Sequence, residues 1–297
     1  MTTIIGFLAG VLGGLLPNSS SVTLFHENLN KFGFSDAEIL QMDLSTLKQF
    51  IGVQPISLPS GGLTPGKIDG DPNETSNSVQ VDQRLLTTKV TACKYSDGEY
   101  GFFVKNSVTW FETPSEREQD VLSVQYTNNL SPRSTEGQPD TYASFSYHEH
   151  FYSYAAARTI APEITKETDI TRKAGEEGVD SSLNLVNQTF SSSFSLPADS
   201  HYSDNHYGRV QVDYEYSNFT MTSTIFLENN STDFLKGNIM SVYGHQTSSW
   251  AFNIEDFDFS FTIYPPSISI TIGSVSKTSE FQNPSMLYME LKYKEEA

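Results

Sequence analysis

Residues Arg209 to Ile272 constrain this chain more than any other stretch, because their apolar positions recur at every second residue. Val210, Val212, Tyr214 and Tyr216 alternate with polar partners, and then the phase slips by one. After Ser217-Asn218 the apolar positions become Phe219, Met221, Ile225 and Leu227. Successive strand residues point to opposite faces, so an uncorrected slip would turn the second set away from the core. A two-residue turn at Ser217-Asn218 would pair Tyr216 with Phe219 and Tyr214 with Met221. A β-bulge at the same place would serve equally well. The alternation returns in Phe257, Phe259, Phe261 and Ile263, then in Ile268, Ile270 and Ile272 after Pro265-Pro266. Aromatic and β-branched residues at period two define half-buried strands, and no helical period competes. The expected fold class is mainly β, with elongated or sandwich-like antiparallel sheets and a small N-terminal helical and apolar region.

Composition narrows the function classes. The formal net charge is -18, and the 18 Lys and Arg are scattered. Such a field repels phosphate backbones and disfavours direct nucleic-acid binding. The single cysteine, Cys93, excludes an intramolecular disulfide and a zinc site built on several thiolates; it reads as a buried apolar residue on a strand. There is no Gly-x-Ser-x-Gly elbow, His-Glu-x-x-His helix, phosphate loop or dinucleotide fingerprint, so neither a catalytic role nor a cofactor is expected. Glu255, Asp256 and Asp258 cluster near Phe257, but adjacent acids on a strand alternate faces, and they read as a solvated acidic surface.

Three regions follow from the order of signals: residues 1–56 with an apolar segment and short helices, a linker over 57–79, and an antiparallel β domain over 80–297. Ile4 to Leu16 is uncharged and apolar but shorter than the roughly 20 residues of a membrane-spanning helix. Gly6, Gly10 and Gly14 fall four apart, which on a helix makes one smooth stripe open to another helix or a bilayer. Burial on the protein's own body, membrane engagement and a secretory signal all fit this segment. Ser21 can cap a helix that Gly33 stops. Ser35-Asp36-Ala37-Glu38 reads as a capping box, and Asp43 can cap a further turn ending near Gly52. Pro55 to Asn77 is rich in Pro, Gly, Ser and Asp, as surface loops are. Its Asp69, Asp71 and Asn73 read as a solvated turn before a calcium loop.

From Val81 the strand signals are nearly continuous. Val90 to Tyr95 leads to a turn at Ser96-Asp97-Gly98. Tyr100, Phe102 and Val104 then face Val108 and Trp110 across an expected hairpin turn at Lys105-Asn106-Ser107. In Thr141 to Tyr154, Phe145, Tyr147 and Phe151 share one face, while His148, His150, Tyr152 and Tyr154 share the other. Two histidines two apart invite a metal reading, but no downstream Glu and His complete such a set. The stripe reads instead as a solvent-facing surface for a sugar or a lipid headgroup, apolar in body and polar at the tip.

Ile160 to Leu196 differs from its surroundings. Ile164 and Ile170 alternate with polar residues, Gly175-Glu176-Glu177-Gly178 makes a turn, and Val179, Leu183 and Leu185 return. The two arms are long enough for a hairpin yet too polar to anchor a core, and in a transmembrane barrel their apolar face would meet lipid. Long Ser/Thr-rich alternating strands, this polar hairpin and FSLPADS (residues 194–200) before another long strand resemble the aerolysin and epsilon-toxin type of β-pore-forming protein. The likeness covers roughly residues 155–275. It implies an insertion hairpin at about Ile160 to Phe194 that folds back in the soluble form and becomes a barrel after oligomerisation. Lys166 departs from the pattern, since it falls in the phase of Ile164 and Ile170.

The expected function is therefore that of a secreted or surface-exposed, membrane-targeting, pore-forming protein. Its partners would be a membrane or cell-surface glycan and further copies of itself. Two other classes stand beside it. One is a jelly-roll subunit of a virus shell or other assembly, placed on a virion. The other is a carbohydrate-binding module with platforms such as Trp110 and Trp250.

Overall fold

The computed structural model describes residues 2–56, 63–66, 78–81, 84–115, 117–127, 129–135, 137–156, 163–204, 209–229, 235–246, 257–263, 266–272 and 281–293. Among the described residues, nineteen strands, β1 to β19, and four N-terminal helices, α1 to α4, are numbered in chain order. The strand that sets the scale is β15 (Arg209–Asn229), unbroken over 21 residues. That is about 70 Å of extended chain. The phase slip inside it is a bulge and not a turn. Against β10 (Thr141–Ala156) the register shifts between Ser146 and His148, and Asn218 takes φ 58°, a left-handed conformation that Asn tolerates. Phe219 and Met221 therefore stay on the core side with Phe145.

The first sheet has nine strands. Its path runs β1 (Gln54–Pro55), β4 (Arg84–Lys94), β5 (Tyr100–Trp110), β15, β10 and β11 (Ile164–Lys173). Attached to it are β3 (Ser78–Val81) on β4, and β7 (Leu130–Pro132) and β14 (Ser200–Asp204) on β15. The second sheet has six strands in the order β12 (Val179–Asn184), β13 (Thr189–Ser195), β6 (Gln119–Tyr126), β16 (Leu235–Gln246), β19 (Phe281–Tyr293) and β2 (Leu63–Gly66). Strands β8 (Ser134–Thr135) and β9 (Gln138–Pro139) make a minor pair, and β17 (Phe257–Ile263) with β18 (Pro266–Ile272) forms a separate two-stranded ribbon.

Two apolar clusters lie between the large sheets, as in a sandwich. Val104, Ile225 and Leu227 of the first sheet meet Val124, Phe190 and Ile239 of the second. Farther along, Val108, Phe145, Phe219 and Met221 meet Leu122, Phe194 and Tyr243.

The expected turn at Lys105-Asn106-Ser107 is absent, because β5 runs straight through it. Asn106 is buried and accepts hydrogen bonds from Thr88 and Ser241, each at 2.7 Å. Lys105 reaches the other face and donates to the Gly33 carbonyl at 2.8 Å and to Glu38 at 2.6 Å. Lys105 and Asn106, which read locally as a turn, are thus interior anchors, with Asn106 held through its carbonyl oxygen alone while its buried Nδ2 finds no partner among the described residues.

The helices cover the outer face of the nine-stranded sheet. They are α1 (Thr2–Val11), α2 (Ser19–Phe32), α3 (Asp36–Gln41) and α4 (Leu44–Gln49). Their apolar residues form one cluster with Cys93, Phe103 and Phe226 of the sheet. The rings of Phe32, Phe50, Phe103 and Phe226 pack mainly edge to face, with centroids 4.7 to 6.0 Å apart. Ile4, Leu8 and Leu12 put one side of the apolar N-terminal segment into this cluster, so the segment is buried on the protein's own body. Gly6, Gly10 and Gly14 lie on its open side, where an added Cβ would meet nothing within 4 Å. Asn18 caps α2 by accepting from the Ser21 N–H, one turn earlier than expected, and Gly33 at φ 98° ends it. The Ser35–Glu38 capping box and the Asp43 cap are both formed. Of the 57–79 stretch, β2 and the first residues of β3 are strands; Asp69, Asp71 and Asn73 lie outside the described residues.

Candidate functional site

The core between the sheets ends at Phe145, Phe194 and Phe219, with Tyr147 and Tyr216 packed against its rim. Four strands of the first sheet continue past that point in the order β14, β15, β10, β11. In this sheet extension no described residue beyond Tyr147 and Tyr216 belongs to a core cluster. Antiparallel register assigns each residue a face. The face continuous with the core is mixed: Phe151, Val212, Tyr214 and Tyr216 share it with Glu149 and Ser153, with Tyr202 and Asp204 on one edge strand and Ile164, Thr168, Ile170 and Arg172 on the other. The Phe151 and Tyr214 rings lie 5.0 Å apart and those of Tyr147 and Tyr216 5.7 Å apart. Tyr202 is 57% and Ile164 40% exposed. Lys166 is on this face, opposite Phe151.

The opposite face is a ladder of imidazoles and acids. His148, His150, Tyr152 and Tyr154 share it with Thr165, Glu167 and Asp169 of β11, and with Asp213 and Glu215 of β15. His148 Nε2 lies 2.7 Å from Glu167 and its Nδ1 2.8 Å from Asp169, while His150 Nδ1 lies 2.6 Å from the second Glu167 oxygen. These hydrogen bonds, to Asp169 first and then Glu167, raise the His148 pKa above its ordinary value. Bonding from His150 and His148 holds Glu167 below the usual carboxylate range. His201 of β14 pairs with Asp213 on the same face. Among the described residues no group of three or more His, Cys, Asp or Glu is arranged to hold a metal.

The arms expected to form a hairpin within Ile160 to Phe194 do not pair with each other. Ile164–Lys173 pairs with β10 at one edge of the first sheet, and Val179–Asn184 pairs with β13 at one edge of the second. The turn between them crosses from layer to layer. Val179 is fully buried in the core, Leu183 packs against it, and Leu185 is 66% exposed in the β12–β13 turn. Local alternation identified the strands correctly, but strand partners are chosen by long-range packing that alternation does not encode.

Two polar clusters brace the start of the extension. Asp199 receives both terminal nitrogens of Arg117, Nη2 at 2.6 Å, and accepts the Tyr216 N–H at 2.8 Å beside the bulge. Burial alone would raise Asp199, but the Arg117 and Tyr216 hydrogen bonds overcome it and hold the carboxyl low. Deeper, Asp120 accepts from Tyr243 Oη at 2.5 Å and from Trp110 Nε1 at 3.3 Å, with His245 Nδ1 2.5 Å away. Trp110 is therefore an interior residue and no exposed sugar platform; Trp250 lies outside the described residues.

The ribbon is the element whose significance sequence reading passed over. Its register places Phe257, Phe259, Phe261 and Ile263 opposite Ile272, Ile270, Ile268 and Pro266. Directly opposed residues share a face, so one face is wholly apolar. The other carries Asp258, Ser260 and Thr262 opposite Thr271, Ser269 and Ser267. The ribbon pairs with no other strand among the described residues. The signal was present: two arms of opposite sequence direction, each strictly alternating, around Tyr264-Pro265-Pro266.

These features define a β-sandwich with one sheet prolonged past its partner and an unpaired amphipathic ribbon. No protein-family model and no curated protein matches the chain. Among solved structures, the chain is distantly similar to one titled for a pore forming protein, at 8% identity and TM-score 0.33, covering 81% of this chain and 99% of that one. It is similar to Clostridium perfringens delta-toxin at 8% identity and TM-score 0.26, covering 81% and 94%. A structure described under pH-induced modulation of Streptococcus parasanguinis adhesion by Fap1 fimbriae matches at 10% identity and TM-score 0.27, covering 82% and 94%. Similarity at this level carries no argument about mechanism.

Proposed function

We propose that this chain is a secreted or surface-acting β-pore-forming protein that oligomerises on a target membrane and inserts an amphipathic hairpin. The observation that carries the reading is the β17–β18 ribbon, apolar on one face, hydroxylated and acidic on the other, and unpaired to either sheet. A barrel wall needs lipid-facing and water-facing residues in alternation, and the ribbon supplies both. Its arms of seven residues are shorter than the ~9–11 of a membrane-crossing strand. No described helix is long and apolar enough to span a bilayer. The Tyr and His faces of the extension offer the contact with a headgroup or surface glycan, and no catalytic step is invoked.

Dye release from liposomes tests this. Phe261→Lys places a charge on the lipid face, where it costs about 2–4 kcal/mol at mid-bilayer, and abolishes release; Ser260→Lys on the water face preserves it. If release instead depends on Ile164, Ile170 and Leu183, the inserting segment is Ile160 to Phe194. An inert monomer on every membrane tried would end the reading.

A further inference from the structure

Beneath the helical cap two lysines stand directly opposite each other. Lys89 of β4 pairs with Lys105 of β5, on the side of the sheet where Phe103 packs under the helices. Directly opposed residues have Cβ atoms about 5 Å apart, and like charges so placed are destabilising. Both side chains also reach the same residue. Lys105 Nζ donates to the Gly33 carbonyl at 2.8 Å. The Lys89 stem runs so close to Gly33 that a Cβ there would lie 2.7 Å from its Cδ and 3.5 Å from its Nζ. The two ammonium groups are nevertheless treated differently. Lys105 is held by Glu38 at 2.6 Å, whereas Lys89 is half-buried with no hydrogen-bond or ion-pair partner among the described residues. Desolvation and a neighbouring cation both favour a neutral amine. Burial accordingly lowers the Lys89 pKa below its ordinary value.

A neutral amine is a nucleophile, and its surroundings select the electrophile. An acyl group would leave a neutral amide at Lys89, whereas carbon dioxide leaves an anion. Donors for that anion stand on the same face. Lys105 has three N–H groups, of which Gly33 and Glu38 take two. Thr91, the next residue on this face of β4, carries a buried hydroxyl with no partner among the described residues. Repulsion between two ammonium groups would thus become attraction between a carbamate and an ammonium. Two groups oppose the change, and both are already engaged. Glu38 places one oxygen on Lys105 and the other on Ser35, and the Gly33 carbonyl at the negative end of α2 is taken by Lys105.

We propose that Lys89 is a carbon dioxide site, where the ε-amine is converted to a carbamate that Lys105 and Thr91 hold. The nitrogen lone pair bonds to the carbon, one C=O electron pair moves onto oxygen, and the nitrogen gives one proton to water. The products are the anionic N-carboxylate of Lys89 and a hydrated proton. The site lies under the helical cap, far along β4 and β5 from the extension, and is independent of any pore.

Isotopically labelled bicarbonate added to the full-length chain at mildly alkaline pH tests it. Carbon NMR is expected to show a carbamate resonance that Lys89→Arg removes, with the variant's urea unfolding unchanged. A second measurement needs no variant. Trapping with an alkylating oxonium reagent, followed by mass spectrometry, places the adduct on Lys89 at about tenfold its level on the exposed Lys48 and Lys166. The Lys89 adduct also appears at lower pH than theirs, as a depressed pKa requires. A carbamate resonance that survives Lys89→Arg, or equal trapping on the three lysines, overturns the proposal. Bound bicarbonate without a carbamate resonance would mark simple anion binding and equally overturn it.

Discussion

His148 shows how much of the extension depends on single side chains. Both its ring nitrogens face carboxylates on the neighbouring strand, which ties the outermost strand β11 to β10. A histidine pKa raised by folding contributes stability that is complete below the unfolded value, about 6.5, and is lost as pH rises through the folded value. Glu167 works in the opposite sense. Its lowered pKa contributes above the unfolded value of about 4.3 and is lost as pH falls through the folded one. Deuterium exchange of β11 amides, corrected for intrinsic rate, is therefore expected to be slowest between about pH 4.5 and 6.5. It should quicken above that window, while Glu167→Gln lowers the His148 titration seen by NMR. Asp213, Glu215, His150 and His201 share the face. Period-two reasoning placed His148 and His150 on one face from sequence. The acids that hold them stand 17 to 21 residues away, and only strand pairing brings them close.

Among the elements, β15 was the most legible and also the most instructive. Its alternation and phase slip were evident, yet turn and bulge explained the slip equally well. The choice rests on contacts made elsewhere: β15 pairs with β10 on both sides of the slip, and Asp199 satisfies the Tyr216 N–H beside it. Asp199→Ala removes that acceptor and the Arg117 pair together. The expected loss is about 2 kcal/mol in urea unfolding, with Asp199→Asn recovering part of it. Strand β5 was misread for a related reason. Lys105-Asn106-Ser107 has turn composition, and only the hydroxyl, carbonyl and carboxylate partners from distant strands and helices make it interior. The arms at 164–173 and 179–184 were recognised as strands, but their partners were misassigned, because a period-two pattern specifies a face and leaves the neighbour open.

At the scale of the molecule, the mainly β character and the helical N-terminal region follow from patterning alone, whereas the unequal layering does not. The helices share a cluster with Cys93, Phe103 and Phe226, so one end of the nine-stranded sheet is covered on both sides. In its middle the sheet is backed by its partner, and past Tyr216 it belongs to no core cluster. A single strand, β15, passes through all three environments. Hydrogen exchange measured along it should rise from whole-molecule protection at Ile225 to Leu227 toward local opening near Val210 and Val212.

That gradient has a mechanical meaning. A continuous backbone packed into core at one end and outside any core cluster at the other has the geometry of a lever, with its pivot at the bulge around Asn218. Bending of the distal tip under load is expected to concentrate at that bulge, sparing the packed body, since a bulge is where the ladder is locally interrupted.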